Sequence, residues 1–250
     1  MFERLKTRMF GTRDIEITSV KAGNGWLDAT LPRSFDPAVI DVSAVHARAE
    51  QTSRLGDRPL WEGYQNVENY PRATTGNRTS EQVRTAEDMG ALYAWLVSMR
   101  RPEIIVEFGT AFGISGMYWL TGLKIAGQGK LFTYEPNRIW AEIAEGNLKA
   151  ISDRFTLTNG IFEEHAAATL TERSVDIAFI DAIHTSDFVY AQYDKLKPYL
   201  KNNALVLFDD IGFSPDMAQC WNDLANRAEV LSSYQLGDRV GLVELRLTRD

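Results

Sequence analysis

The chain has 250 residues, 44% hydrophobic and 24% charged, with a formal net charge of -7. This suits one α/β domain with room for a modest extension, and the acidity argues against a nucleic-acid backbone as main partner. A single cysteine excludes an internal disulfide and fits a reducing, cytoplasmic setting, with no secretion signal in "MFERLKTRMF" and no apolar run long enough to span a bilayer.

The first 75 or so residues read differently from the rest. "DIEITSV" and "WLDATL" flank "KAGNG", whose glycines permit positive φ, and this predicts a hairpin. Asp36 as cap with Pro37 in the first position predicts a helix next. Residues 51–77 read as loop, with Trp61, Tyr64 and Tyr70 spaced among polar residues. We expect 1–78 to be an accessory segment, open to two roles: an aromatic wall over a site, or self-association into a homo-oligomer.

From Thr79 a regular alternation begins. "TSEQ" matches a capping box, and Met89, Leu92, Tyr93, Leu96 and Val97 follow at helical spacing until Arg100, Arg101 and Pro102 end the helix. Strands are predicted at 103–108, 130–135, 154–159, 175–181 and 204–209. Helical stretches such as "RIWAEIAEGNLKAI" and "SDFVYAQYDKLKPYL" lie between them. The segment 230–247 reads as two strands joined by a Gly-Asp turn. Short apolar strands alternating with helices predict a doubly wound, mostly parallel Rossmann-like sheet over 79–250, with the closing hairpin as an antiparallel edge. Cys220, in "MAQCWNDL", reads as an inert thiol in a buried helix.

Chemistry gathers at the predicted strand ends. "IIVEFGTAFGIS" is a strand, then Gly109 and Gly113, then a helix, an arrangement that lets backbone approach a ligand at a helix N-terminus. The dinucleotide fingerprint would need glycine where Ala111 and Ile114 stand, which counts against NAD. Glu107 is an anion on the first strand, read here as suiting a positively charged ligand. Glu135 ends the next strand, where a carboxylate can hold both hydroxyls of a ribose. Asp181 ends the fourth strand and Asp209 with Asp210 the fifth. Neighbouring parallel strands lie about 4.8 Å apart, so the three carboxylates should meet and, unrelieved, repel. One reading gives them a divalent cation, Mg²⁺ first, through oxygen ligands. The other makes them loop and helix caps.

"VEFGTAFGIS", "YEP", "FIDAIH" and "LFDD" together resemble the class I S-adenosylmethionine-dependent methyltransferases. More narrowly, they are similar to the metal-dependent O-methyltransferases of catechol, caffeoyl-CoA and macrolide- or aminocoumarin-sugar type. The resemblance covers roughly residues 79–250 and implies a seven-stranded sheet with a reversed last hairpin. It implies that Gly109, Gly113 and Ser115 line the methionine part of S-adenosylmethionine, that Glu135 holds the ribose, and that Phe162 lies by the adenine. It also implies metal ligands at Asp181, Asp209 and Asp210. His184 stands where catechol-type members carry a lysine base, so His184 or Asp181 would accept the proton. The expected reaction is cation-dependent methyl transfer to a hydroxyl of a small molecule, a sugar or natural product before a free catechol. Two alternatives stay open: a metal-independent N- or C-methyltransferase, and a non-catalytic binding module.

Overall fold

The computed structural model describes residues 13–61, 63 and 76–247. After strand β1 (Ile15–Lys21) comes no hairpin partner but a short helix, α1 (Trp26–Thr30). The Asp28 carboxylate explains the difference. It accepts the N–H groups of Gly23 at 3.3 Å and Gly25 at 2.7 Å, winding the glycine turn into a helix start. The Tyr234 hydroxyl, 2.8 Å from Asp28, then fixes that turn against the closing hairpin, and Leu27 is fully buried beneath it. Strand β1 pairs instead with β2 (Ser34–Phe35).

Asp36 does cap, accepting the Ala38 N–H at 2.9 Å, but only a 3₁₀ turn, Pro37–Val39, follows. Helix α2 (Ser43–Ser53) starts later, and β3 (Arg58–Pro59) pairs with β4 (Asn77–Arg78) as a small ribbon. Tyr64 and Tyr70 lie outside the described residues. The capping box at Thr79 forms, yet it opens a one-turn helix, α3 (Ser80–Val83), and the long apolar helix α4 (Glu87–Arg100) starts separately. Arg101 closes α4 in the left-handed region at φ +52°, just before Pro102.

The alternation then runs as β5 (Ile104–Phe108), α5 (Ile114–Ala126), β6 (Lys130–Tyr134), α6 (Arg138–Ile151), β7 (Phe155–Thr158) and α7 (Phe162–Thr169). It continues with β8 (Val175–Ile180), α8 (Ser186–Leu196), β9 (Leu200–Phe208), α9 (Pro215–Ala225), β10 (Val230–Leu236) and β11 (Val240–Leu245). The main sheet has the order β2-β1-β10-β11-β9-β8-β5-β6-β7. Strands β9, β8, β5, β6 and β7 are parallel, while β11, β10, β1 and β2 are joined by antiparallel pairing. The fold is thus the expected Rossmann-like α/β architecture, with nine strands where seven were expected. The two additional strands come from the N-terminal segment, which shares the main sheet. Glu244 of β11 reinforces the join by accepting the Leu27 N–H at 2.9 Å.

Both faces of the sheet are covered, so its central strands are apolar on alternate residues in both directions. Ile105, Ile177, Leu205 and Leu207 pack with α4 and α5 on one side. Val106, Phe108, Ala178, Ile180 and Phe208 pack with α7, α8 and α9 on the other. The chain leaves β5 toward β6 on one side and returns to β8 on the other. In such sheets the crevice for ligands opens beyond the C-terminal strand ends at this reversal.

Candidate active site

A cavity of about 570 Å³ opens at that reversal, the size of a small-molecule site. Its floor is the β5–α5 loop. Gly109 has φ +81°, and a Cβ there would lie 2.1 Å from the Asp181 carbonyl oxygen, so only glycine lets the β5 and β8 ends close on each other. Gly113, at φ +82°, starts α5 with its back against Ala144 of α6, and it is not among the residues lining the cavity. Ser115 borders a narrow polar recess with Ser80, Thr85 and Thr110, which meets the cavity at Gly109, Ala111 and Asp181.

Glu135 leaves the end of β6 almost fully buried and faces the cavity. It accepts the Ala111 N–H with one oxygen and the Asn137 N–H with the other, each at 2.8 Å. Burial raises its carboxyl to about 7 against the pull of those N–H groups. Glu107 takes a different place from the one its sequence position suggested. Strand alternation turns it under α5, where Trp119 Nε1 donates to it at 2.9 Å and Thr133 Oγ1 at 2.7 Å. It lines neither cavity nor recess, and burial pushes its carboxyl up to about 7. It is an internal anchor between β5, β6 and α5.

Phe162 opens α7 against Phe108 and Tyr134, with ring centroids 4.1 and 5.3 Å away, and its edge meets the cavity. Beside it, Gln192 Nε2 donates to Glu163 at 3.0 Å, while Gln192 Oε1 is buried without a partner among the described residues. Trp140 stacks on Phe112, and its Nε1 is also buried without a partner among the described residues. Both residues line the cavity. From the N-terminal segment, Leu60 and Trp61 complete its wall.

At the other end Asp181, Asp209, Asp210 and His184 come together. His184 Nε2 stands 3.5 Å from Asp210 Oδ2 and 3.8 Å from Asp181 Oδ1. Asp210 adopts φ +51°, a left-handed conformation that aspartate tolerates better than most residues. Burial, then the neighbouring Asp209 charge, pushes the carboxyls of Asp181 and Asp210 upward. The cluster is not an open metal cradle. Arg239, from the turn between β10 and β11, grips both oxygens of Asp209 at 3.0 and 2.7 Å and reaches Asp210 Oδ1 at 3.1 Å. Among the described residues, no three of His, Cys, Asp or Glu are arranged to hold a metal ion. The three carboxylates expected to hold Mg²⁺ therefore meet, but Arg239 occupies Asp209 and Asp210, and Asp181 hydrogen-bonds Asp209.

The sequence reading missed Arg239, Gln192, Trp140 and Phe213. Phe213 is 69% exposed and stands 5.8 Å, centroid to centroid, from the His184 ring. Arg239 had one usable signal: the final hairpin's turn must lie beside the β9 end once β11 pairs with β9.

Comparison with known proteins fits this geometry. Residues 106–211 match a family described as "Methyltransferase domain". The chain is similar in structure to TomG of Streptomyces achromogenes, an O-methyltransferase involved in tomaymycin synthesis and solved with S-adenosylmethionine. The TM-score is 0.59 at 19% identity, over 83% of this chain and 92% of that one. It is likewise similar to an O-methyltransferase from Bacillus cereus bound to S-adenosylhomocysteine, with a TM-score of 0.60 at 16% identity, over 88% of this chain and 94% of that one. Cofactor-bound Rv0187 from MTB gives 0.58 at 18% identity, over 89% and 95%. At these identities the likeness is one of fold. No curated protein matches the chain significantly.

Proposed function

We propose, from the match of residues 106–211 to a methyltransferase domain family and the Rossmann-like fold around it, that the chain transfers a methyl group from S-adenosylmethionine to a hydroxyl of a small molecule. The observation that carries this is the continuity of one cavity. It runs from the buried Glu135 carboxylate past Phe162 to His184. Bound S-adenosylmethionine supplies an electrophilic sulfonium methyl. Glu135 would hold the ribose hydroxyls with its remaining lone pairs. Phe162 and Ile161 would cover the adenine. The loop at Gly109 would take the methionine end.

His184 would accept the hydroxyl proton as the oxygen attacks the methyl carbon; a C–O bond forms as the C–S bond breaks. The Asp181 and Asp210 carboxylates would then face the imidazolium, which is how a positioned base earns its rate. The carboxylates held by Arg239 do not fit a divalent cation, and no step is routed through one. Phe213 beside His184 offers a flat apolar face to a ring. TomG's involvement in tomaymycin synthesis also supports a natural-product or sugar acceptor, and the net charge of -7 supports a small molecule over a nucleic acid. Among the described residues no helix is long and apolar enough to cross a membrane.

Calorimetric titration with S-adenosylmethionine tests the reading, followed by a panel of hydroxyl acceptors monitored for S-adenosylhomocysteine. Micromolar binding and product formation are expected. No heat, with no competition from S-adenosylhomocysteine, overturns it.

A further inference from the structure

Three carboxylates at two neighbouring strand ends need positive charge, and the chain supplies it from a distance of about thirty residues. Asp209 is only 3% exposed, and both its oxygens are taken by Arg239 in a two-point grip at 3.0 and 2.7 Å. That is the strong, directional form of a carboxylate pair, and guanidinium keeps its charge at any physiological pH. The same Nε lies 3.1 Å from Asp210 Oδ1. The backbone is fixed as well, because the Arg239 carbonyl accepts the Ile211 N–H at 2.9 Å, tying the hairpin turn to the loop that carries the acids. A divalent ion would need those oxygens at about 2.0–2.6 Å. It would have to displace a side chain anchored at both ends.

We propose that Arg239 is the resident cation of this site, holding the place of a divalent metal, so that methyl transfer proceeds without one. Arg239 is a positioning residue. By claiming Asp209 and one oxygen of Asp210, it leaves Asp210 Oδ2 and Asp181 Oδ1 to face His184. The proposal rests on the methyl-transfer reading for its consequence, but its charge arrangement is testable without turnover.

The test is a Mn²⁺ titration of the purified chain followed by electron paramagnetic resonance, with Asp209→Asn as the control for the site. The wild type is expected to show no Mn²⁺ binding that depends on Asp209 at submillimolar concentrations. Arg239→Ala is expected to gain about one equivalent, lost again when Asp209→Asn is added. If Arg239→Ala does not fold, Arg239→Gln replaces it. Asp209-dependent Mn²⁺ binding by the wild type overturns the proposal, and so does a folded Arg239 variant that gains none. In the turnover assay, EDTA should leave the rate within twofold, and loss of activity restored by Mg²⁺ overturns the proposal. Failure of S-adenosylmethionine to bind would count against the function alone, since the Mn²⁺ titration would still read the charge arrangement.

Discussion

Glu135 reaches from the end of β6 to the neighbouring glycine loop and accepts the Ala111 N–H at 2.8 Å. Ala111 is not glycine, yet it sits at φ +47°, a conformation that costs an alanine roughly 1–2 kcal/mol. The charged hydrogen bond offsets that cost and sets the loop before any ligand arrives.

Removing this carboxylate should therefore harm binding twice, through the loop and through the ribose. A hydrogen bond to a charged group contributes about 1.5–3 kcal/mol. Glu135→Ala should weaken S-adenosylmethionine binding by roughly 10- to 100-fold by calorimetry, with the far-ultraviolet circular dichroism spectrum retained. Affinity equal to wild type would remove Glu135 from the cofactor site.

His184 should behave in the opposite way. It lies at the acid cluster, 3.5 Å from Asp210, away from the Glu135 end. A positioned general base contributes about 10²–10⁴-fold in rate. His184→Ala should lower kcat within that range and leave the affinity for S-adenosylmethionine within about twofold. An unchanged kcat would assign the proton to another group, with Asp181 next in line.

Gly109→Ala should cost both stability and binding. Its new Cβ would meet the Asp181 carbonyl oxygen at 2.1 Å, in a backbone at φ +81°. The β8 end that carries Asp181 and His184 would have to move. We expect a lower melting temperature and no measurable S-adenosylmethionine heat. Gly113→Ala, packed on Ala144 outside the cavity lining, should cost stability first.

These residues also show where sequence reading reaches and where it stops. The alternation of apolar strands and amphipathic helices is local, so β5 to β9, the glycine loop and Glu135 were all legible from short windows. Glu107 was misjudged by an avoidable step, because strand alternation alone turns residue 107 to the face of residue 105, under α5. Strand β1 found its partner in β10, where Ile17 stands opposite Leu236, and no local pattern announces a pairing that distant. The hairpin expected around residues 21–25 gives way to a helix because of one side chain, Asp28, which bonds both its own glycine turn and Tyr234. Arg239 is the same lesson at the site. The acids were visible at their strand ends, but their counter-charge lies in another turn, which only the β9–β11 pairing brings alongside.

The buried acid beneath α5 makes stability depend on pH in a direction opposite to the familiar acid denaturation. Glu107 is completely buried, and the side chains that hydrogen-bond its oxygens, Ser115, Thr133 and Trp119, are all neutral. Burial raises it from 4.5 to about 7. Between those values the folded chain keeps a proton that the unfolded chain has released, so stability is full below about 4.5 and falls as pH rises through about 7. At about 1.4 kcal/mol per pKa unit, this one group contributes roughly 3 kcal/mol across that range. Glu135 adds in the same sense, being raised to about 7 by burial. Asp28 and Glu229 are lowered and act only toward acid, where their contribution is lost as pH falls through their depressed values. Urea midpoints measured from pH 5 to pH 8 should fall with rising pH. Glu107→Gln, which keeps an acceptor for Trp119 but cannot ionise, should flatten that slope. A wild-type midpoint that holds or rises toward pH 8, or a Gln variant with an unchanged slope, would show that Glu107 folds as a charged group.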